Sequence, residues 1–83
     1  MTLADLKPGE WGRISSIDTQ RSSTVRLMVL GLVENIPVQV ANVAIGGDPL
    51  EVSVFGASIS LRKQDALAFG ISPIQPVQGL TDV

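Results

Sequence analysis

The chain reads as mainly β, a small β-barrel of about five strands with one or two short helices. Three observations carry this. Short runs of alternating apolar and polar residues recur between glycine-bearing turns. One segment alone, Val25 to Leu32, shows a clean helical period. And 83 residues suffice for one core and no more.

The N-terminal segment precedes a turn at Pro8-Gly9. Leu3 and Leu6, spaced i, i+3, are placed to pin it to the body. Trp11 to Ile17 reads as the first strand, and Gly12 within it marks a bulge or a close backbone approach. The polar run Gln20–Thr24 offers Ser22, Ser23 and Thr24 as helix N-caps. Val25, Met28, Val29 and Leu32 then form a stripe expected to plug the barrel, with Leu27 and Leu30 on a second face. Gly31 is placed to end the helix with positive φ, Leu32 supplying the apolar contact. A helix apolar on almost every side except that of Arg26 is too greasy for a free surface.

From Ile36 the period changes to two. Ile36, Val38, Val40 and Ala44 share one face, and Pro37 suits a strand start or an edge. Glu51–Phe55 turns Val52 and Val54 inward, and Ala57–Arg62 turns in Ala57, Ile59 and Leu61. Gly56 between them marks a tight hairpin. Lys63–Ala68 predicts one helical turn and Phe69–Ser72 a closing strand. The barrel domain is thus expected over residues 1–72, with a mobile tail over 73–83. The tail's P-x-x-P string, Pro73 to Pro76, is read as part of that mobile end.

Composition narrows the function. The net charge of −2 supplies no field for phosphates, and three aromatics are too few for a base-stacking platform, so no nucleic-acid partner is expected. The chain has neither cysteine nor histidine, which removes thiolate metal sites, the usual neutral-pH proton shuttle and Ser–His or Cys–His nucleophiles. The loop Gly46-Gly47-Asp48-Pro49 lies between two strands with no lysine beside it. A phosphate cradle would open a helix. The loop is therefore a bend whose glycines take positive φ while Asp48 bonds local backbone N–H groups. No carboxylates show a ligand spacing. No enzyme activity, cofactor or metal is expected. The N-terminus lacks a basic start and an apolar core, and the longest apolar run, Leu27–Val33, falls far short of the roughly 20 residues of a membrane helix. The expected location is cytoplasmic, reaching the inner membrane only through a partner.

The strings "LADLKPGEWGRISSI", "RLMVLGL", "GGDPLEVSVFG" and "ISLRKQDA" occur in order from about Leu3 to Ile71. Their order and spacing resemble the ferrous iron transport protein A (FeoA) family. The resemblance implies an SH3-like β-barrel with a helix between its first two strands. It implies a non-enzymatic accessory protein of bacterial iron(II) uptake. The implied partner is the membrane ferrous iron permease, which carries a cytosolic GTP-binding domain. The family's helix motif R-L-x-x-L-G-L falls on Arg26, Leu27, Leu30, Gly31 and Leu32, so Arg26, Leu27 and Leu30 are the expected partner-binding residues. Two departures stand out. Glu34-Asn35 replaces a Pro-Gly turn, and Phe55 stands where an arginine is common. The same barrel closes iron-dependent repressors, but this sequence starts at Met1 without DNA-binding helices, which favours the transport protein. Two alternatives stay open: a metal-responsive protein binding iron(II) through carboxylates, and a self-associating module pairing through Ile36–Ala44 as an open edge.

Overall fold

Alternating patterns become strands where turn residues let the chain reverse. In the computed structural model, which describes residues 1–74, the strands are β1 (Trp11–Ile17), β2 (Pro37–Val43), β3 (Leu50–Val54), β4 (Ala57–Leu61) and β5 (Phe69–Pro73). The helices are α1 (Ser22–Val29), between β1 and β2, and α2 (Lys63–Ala66), between β4 and β5. The strands pair antiparallel in the order β4-β3-β2-β1-β5. The expected tail lies outside the described residues from 75 onward, and β5 runs through Pro73, one residue past the expected boundary.

Each turn has a local cause. Pro8-Gly9 is a type II turn: the Glu10 N–H donates to the Lys7 carbonyl at 2.9 Å and Gly9 has φ of 89°. The β2 entry turns on Asn35, whose φ of 72° suits a residue that tolerates the left-handed region. So the departure from Pro-Gly leaves the turn intact, and Arg13 Nη1 donates to the Asn35 carbonyl at 2.7 Å. The β3–β4 hairpin closes through two residues, Phe55 (φ 48°) and Gly56 (φ 84°), the signature of a type I′ turn.

The core is one cluster. Leu3 and Leu6 pin the N-terminus as expected, joined by Ile14, Leu32, Val38, Val40, Leu50, Val52, Val54, Ile59, Leu61, Phe69 and Ile71. Gly12 is a close approach: a Cβ there would overlap Ile71 Cγ2. The bulges fall elsewhere, between Ile14 and Ser16 and between Val40 and Asn42.

Two expectations are corrected. β2 is no edge, since it lies between β1 and β3. Its Pro37 is the first residue of the strand, where a missing N–H costs little. The Gly46-Gly47 bend has positive φ at both glycines as expected (86° and 84°), but Asp48 bonds at long range. Its Oδ1 accepts from the Lys63 N–H at 3.2 Å and lies 3.8 Å from Arg62 Nη1. The loop thus ties itself to the start of α2.

A candidate docking face at the end of α1

Three contacts fix how α1 sits. Ser23 Oγ donates to Asp65 Oδ1 at 2.8 Å, Arg21 Nη2 lies 3.5 Å from the same oxygen, and Arg21 Nη1 donates to the Gln64 carbonyl at 3.4 Å. The N-cap is Arg21, not a serine or threonine, and no side chain caps it. Ser23 is drawn instead to Asp65. At the other end the Leu32 N–H donates to the Leu27 carbonyl at 3.1 Å and the Gly31 N–H to the Met28 carbonyl at 3.0 Å. With Gly31 at φ of 125° and Leu27 and Leu32 both in the core, this is a Schellman cap complete with its apolar contact.

These anchors rotate α1 away from the expected phase. Thr24 and Leu27 face the core, with Leu32 beneath the cap. Val25 and Val29, assigned inward by the period, are exposed, Val29 at 82%. Leu27, expected to meet a partner, is only 6% exposed and is a core residue. The reason is that α1 is apolar on two faces, so its period alone does not say which one is buried. Arg26 is exposed and Leu30 is 57% exposed, where a partner can reach them.

Thr24 shows the cost of this phase. It is fully buried, and its hydroxyl has no hydrogen-bond partner among the described residues. An unpaired buried hydroxyl costs roughly 1–3 kcal/mol, and valine has the same shape without it. Thr24→Val is therefore expected to stabilise the fold by about 1 kcal/mol, raising Tm by about 4–8 °C in calorimetry. A lowered Tm would show that the hydroxyl is bonded after all.

A residue outside the helix joins the face. A Cβ at Gly31 would stand 3.8 Å from Val54 Cγ1, so the end of α1 rests against the end of β3. The next residue is Phe55, 63% exposed and held at positive φ. A phenylalanine there costs about 1 kcal/mol or more relative to glycine, and such strain concentrates at functional positions. The signal was legible: a two-residue hairpin favours Asn-Gly or Asp-Gly, and this one has Phe-Gly. Val25, Val29, Leu30 and Val33, on and just after α1, are thus exposed, as is Phe55, which follows the Val54 that the end of α1 rests against; Arg26 is exposed on the same helix. A sparse apolar set with an arginine and an aromatic is the composition of a protein contact. Among the described residues no three His, Cys, Asp or Glu side chains gather as a metal site, and no helix is long and apolar enough to cross a membrane.

Known proteins share this build. A solution structure of the FeoA protein from Chlorobium tepidum superposes with a TM-score of 0.82 at 30% identity, covering 95% of this chain and 75% of that one. Iron(II) transport protein A from Clostridium thermocellum gives 0.82 at 27% identity over 89% of this chain and 46% of that one. FeoA from Stenotrophomonas maltophilia, solved with zinc and described as a prokaryotic SH3 domain protein and candidate ferrous iron transport activating factor, gives 0.77 at 26% identity over 87% and 89%. Comparison with curated proteins gives no match. The family model of the FeoA domain matches residues 1–69. A match over that much of the chain, on an SH3-like barrel with α1 between its first two strands, places this chain in the FeoA family.

Proposed function

We propose that this chain is a cytoplasmic accessory protein of bacterial ferrous iron uptake. It docks the exposed side of α1 and the β3–β4 tip onto the cytosolic, GTP-binding part of the membrane iron(II) permease. Family membership supports the process. The Stenotrophomonas relative's description as a candidate activating factor supports an accessory role. The observation that carries the mode of action is the exposed row Val25, Arg26, Val29 and Leu30, continued by Phe55. Large apolar side chains gathered on one region of a small domain mark an interaction surface.

The mechanism is a shift of populations. A non-catalytic partner changes a transporter only by binding one of its states better than another. Apolar burial of Val29, Leu30 and Phe55 supplies affinity, and Arg26 supplies orientation through a carboxylate or carbonyl of the partner. The docked protein sits at the inner membrane through its partner.

The test is a titration of labelled protein with the permease's cytosolic domain, followed by amide NMR. Shifts confined to Val25–Val33 and Val54–Gly56 are expected. The pair Val29→Lys and Leu30→Lys, whose cations suit the C-terminal end of α1, is expected to weaken binding at least about tenfold, or 1.4 kcal/mol, with Tm held. Both residues are exposed, so the fold has little to lose. Unchanged binding by a folded double variant removes this face from the reading.

A further inference from the structure

The two edges of the sheet are treated differently. The outer edge of β5 is covered: Thr2 bridges Gly70, and the Ile71 N–H donates to the Met1 carbonyl at 2.9 Å. The outer edge of β4 is bare among the described residues. In a two-residue type I′ hairpin the closing pair, here Val54–Ala57, is hydrogen-bonded, and the ladder alternates from there. Ala57, Ile59 and Leu61 therefore direct their N–H and C=O groups to β3, while Ser58 and Ser60 direct theirs outward. No described group meets the Ser58 or Ser60 N–H. The strand also lacks the usual edge protections. It carries no proline, no lysine and no bulge, its register with β3 running unbroken from Leu50↔Leu61 to Val54↔Ala57.

We propose that β4 is a self-pairing edge, and that two copies of this chain join antiparallel along it about a twofold axis through Ile59. The occupant follows from the edges themselves. A head-to-tail array needs two different free edges, and the β5 edge is already covered, so strand pairing between copies closes at two. The register follows from the hydrogen-bond phase. Ile59 opposite Ile59 of the second copy sets Ser58 opposite its Ser60 and Ser60 opposite its Ser58. Those are the residues with outward N–H and C=O groups, so both pairs can exchange bonds. Small serines at the seam let the strands approach without clash, and Ile59 and Leu61 of each copy remain in their own cores.

The same register places Arg62 of one copy opposite Gly56 of the other, beside the other's Phe55. A shallow depression of about 300 Å³, lined by Pro49, Ser60, Leu61 and Arg62, lies at that end of the strand. It offers a seat for the exposed Phe55 ring, with the Arg62 guanidinium in reach of its face. A seam of five residues per strand is small beside stable interfaces, so the dimer is transient. It also occupies Phe55, so the paired form and the permease-docked form compete for the hairpin tip. The pairing itself rests on the edge alone and not on the docking.

Analytical ultracentrifugation tests this. Wild-type protein is expected to shift from monomer to dimer as concentration rises to about 1 mM. Ser58→Pro removes an outward N–H and no bond to β3, and is expected to lower the association constant at least tenfold with Tm held. The double variants S58K/S60K and S58E/S60E each stay monomeric alone. Mixed, they form a one-to-one dimer, because the register sets each lysine against a glutamate. That rescue would not follow from a contact elsewhere. A wild type that remains monomeric throughout, or a dimer indifferent to all three variants, overturns the proposal. If the wild type is monomeric but Ser58→Pro weakens binding to the permease's cytosolic domain, the edge takes another protein's strand and self-pairing is likewise overturned.

Discussion

Truncating Phe69 to alanine is expected to cost about 3–5 kcal/mol, the largest loss available to a single side chain in this barrel. Phe69 is fully buried and the largest of the fully buried side chains. It opens β5 opposite Ile17 and follows α2, so its ring lies where the last strand joins the core. A chain of 83 residues has roughly 4–12 kcal/mol of stability to lose, at about 0.05–0.15 kcal/mol per residue. The variant should then be partly unfolded at 37 °C, with a urea midpoint far below wild type and the slope unchanged. Phe69→Leu keeps most of the volume and should cost under about 1.5 kcal/mol. A Phe69→Ala loss below about 1 kcal/mol would mean that the core relaxes around the gap and that the ring is not its centre.

The second large effect separates two glycines that look alike in sequence. Both sit on the β1–β5 seam, Gly12 opposite Pro73 and Gly70 opposite Ser16. A Cβ at Gly12 would overlap Ile71 Cγ2 and stand 3.2 Å from Leu6 Cδ1. Ile71 is buried and β-branched, so its methyl has little rotamer freedom with which to move away. Gly12→Ala should therefore cost about 1–3 kcal/mol as overpacking. A Cβ at Gly70 would overlap only the hydroxyl of Ser16, an exposed side chain that can swing away. There the loss of unfolded-state freedom, worth about 0.4–1 kcal/mol in favour of alanine, offsets the adjustment. Chemical denaturation of the two variants side by side decides it. Equal effects would show that the seam yields at both points.

The strands were legible because their signals are redundant. Around β3 and β4 a period of two, a glycine turn and inward valines all point the same way, and the register follows. The first strand was placed to the residue, Trp11–Ile17. The helix was legible in position but not in phase. Val25, Met28, Val29 and Leu32 form a more apolar stripe than Thr24, Leu27 and Leu32, so hydrophobicity alone favours a face of which Val25 and Val29 are in fact exposed. The choice is made by Ser23 meeting Asp65, 42 residues away, and by the Schellman cap that turns Leu32 inward. For the same reason the candidate face was half legible. Arg26 and Leu30 reach the surface, Leu27 does not, and Val29 and Phe55 take their places there. Pro37 suits a strand start or an edge alike, and it is the start: a proline at a strand's first residue looks the same in a central strand as in an outer one.

The turn at Phe55 has a consequence for the lifetime of any complex it enters. A two-residue hairpin anchored by five register pairs leaves the backbone at its tip a single geometry, so only the two side-chain torsions of the ring remain to be frozen on contact. Freezing a rotamer-rich side chain costs about 0.5–1.5 kcal/mol, and rigid aromatic anchors keep that cost low. Tightness gained by such pre-organisation is usually expressed in slower departure rather than faster arrival. Loosening the turn while keeping the ring, as with one glycine inserted between Phe55 and Gly56, should therefore shorten residence on a partner while leaving the association rate nearly unchanged.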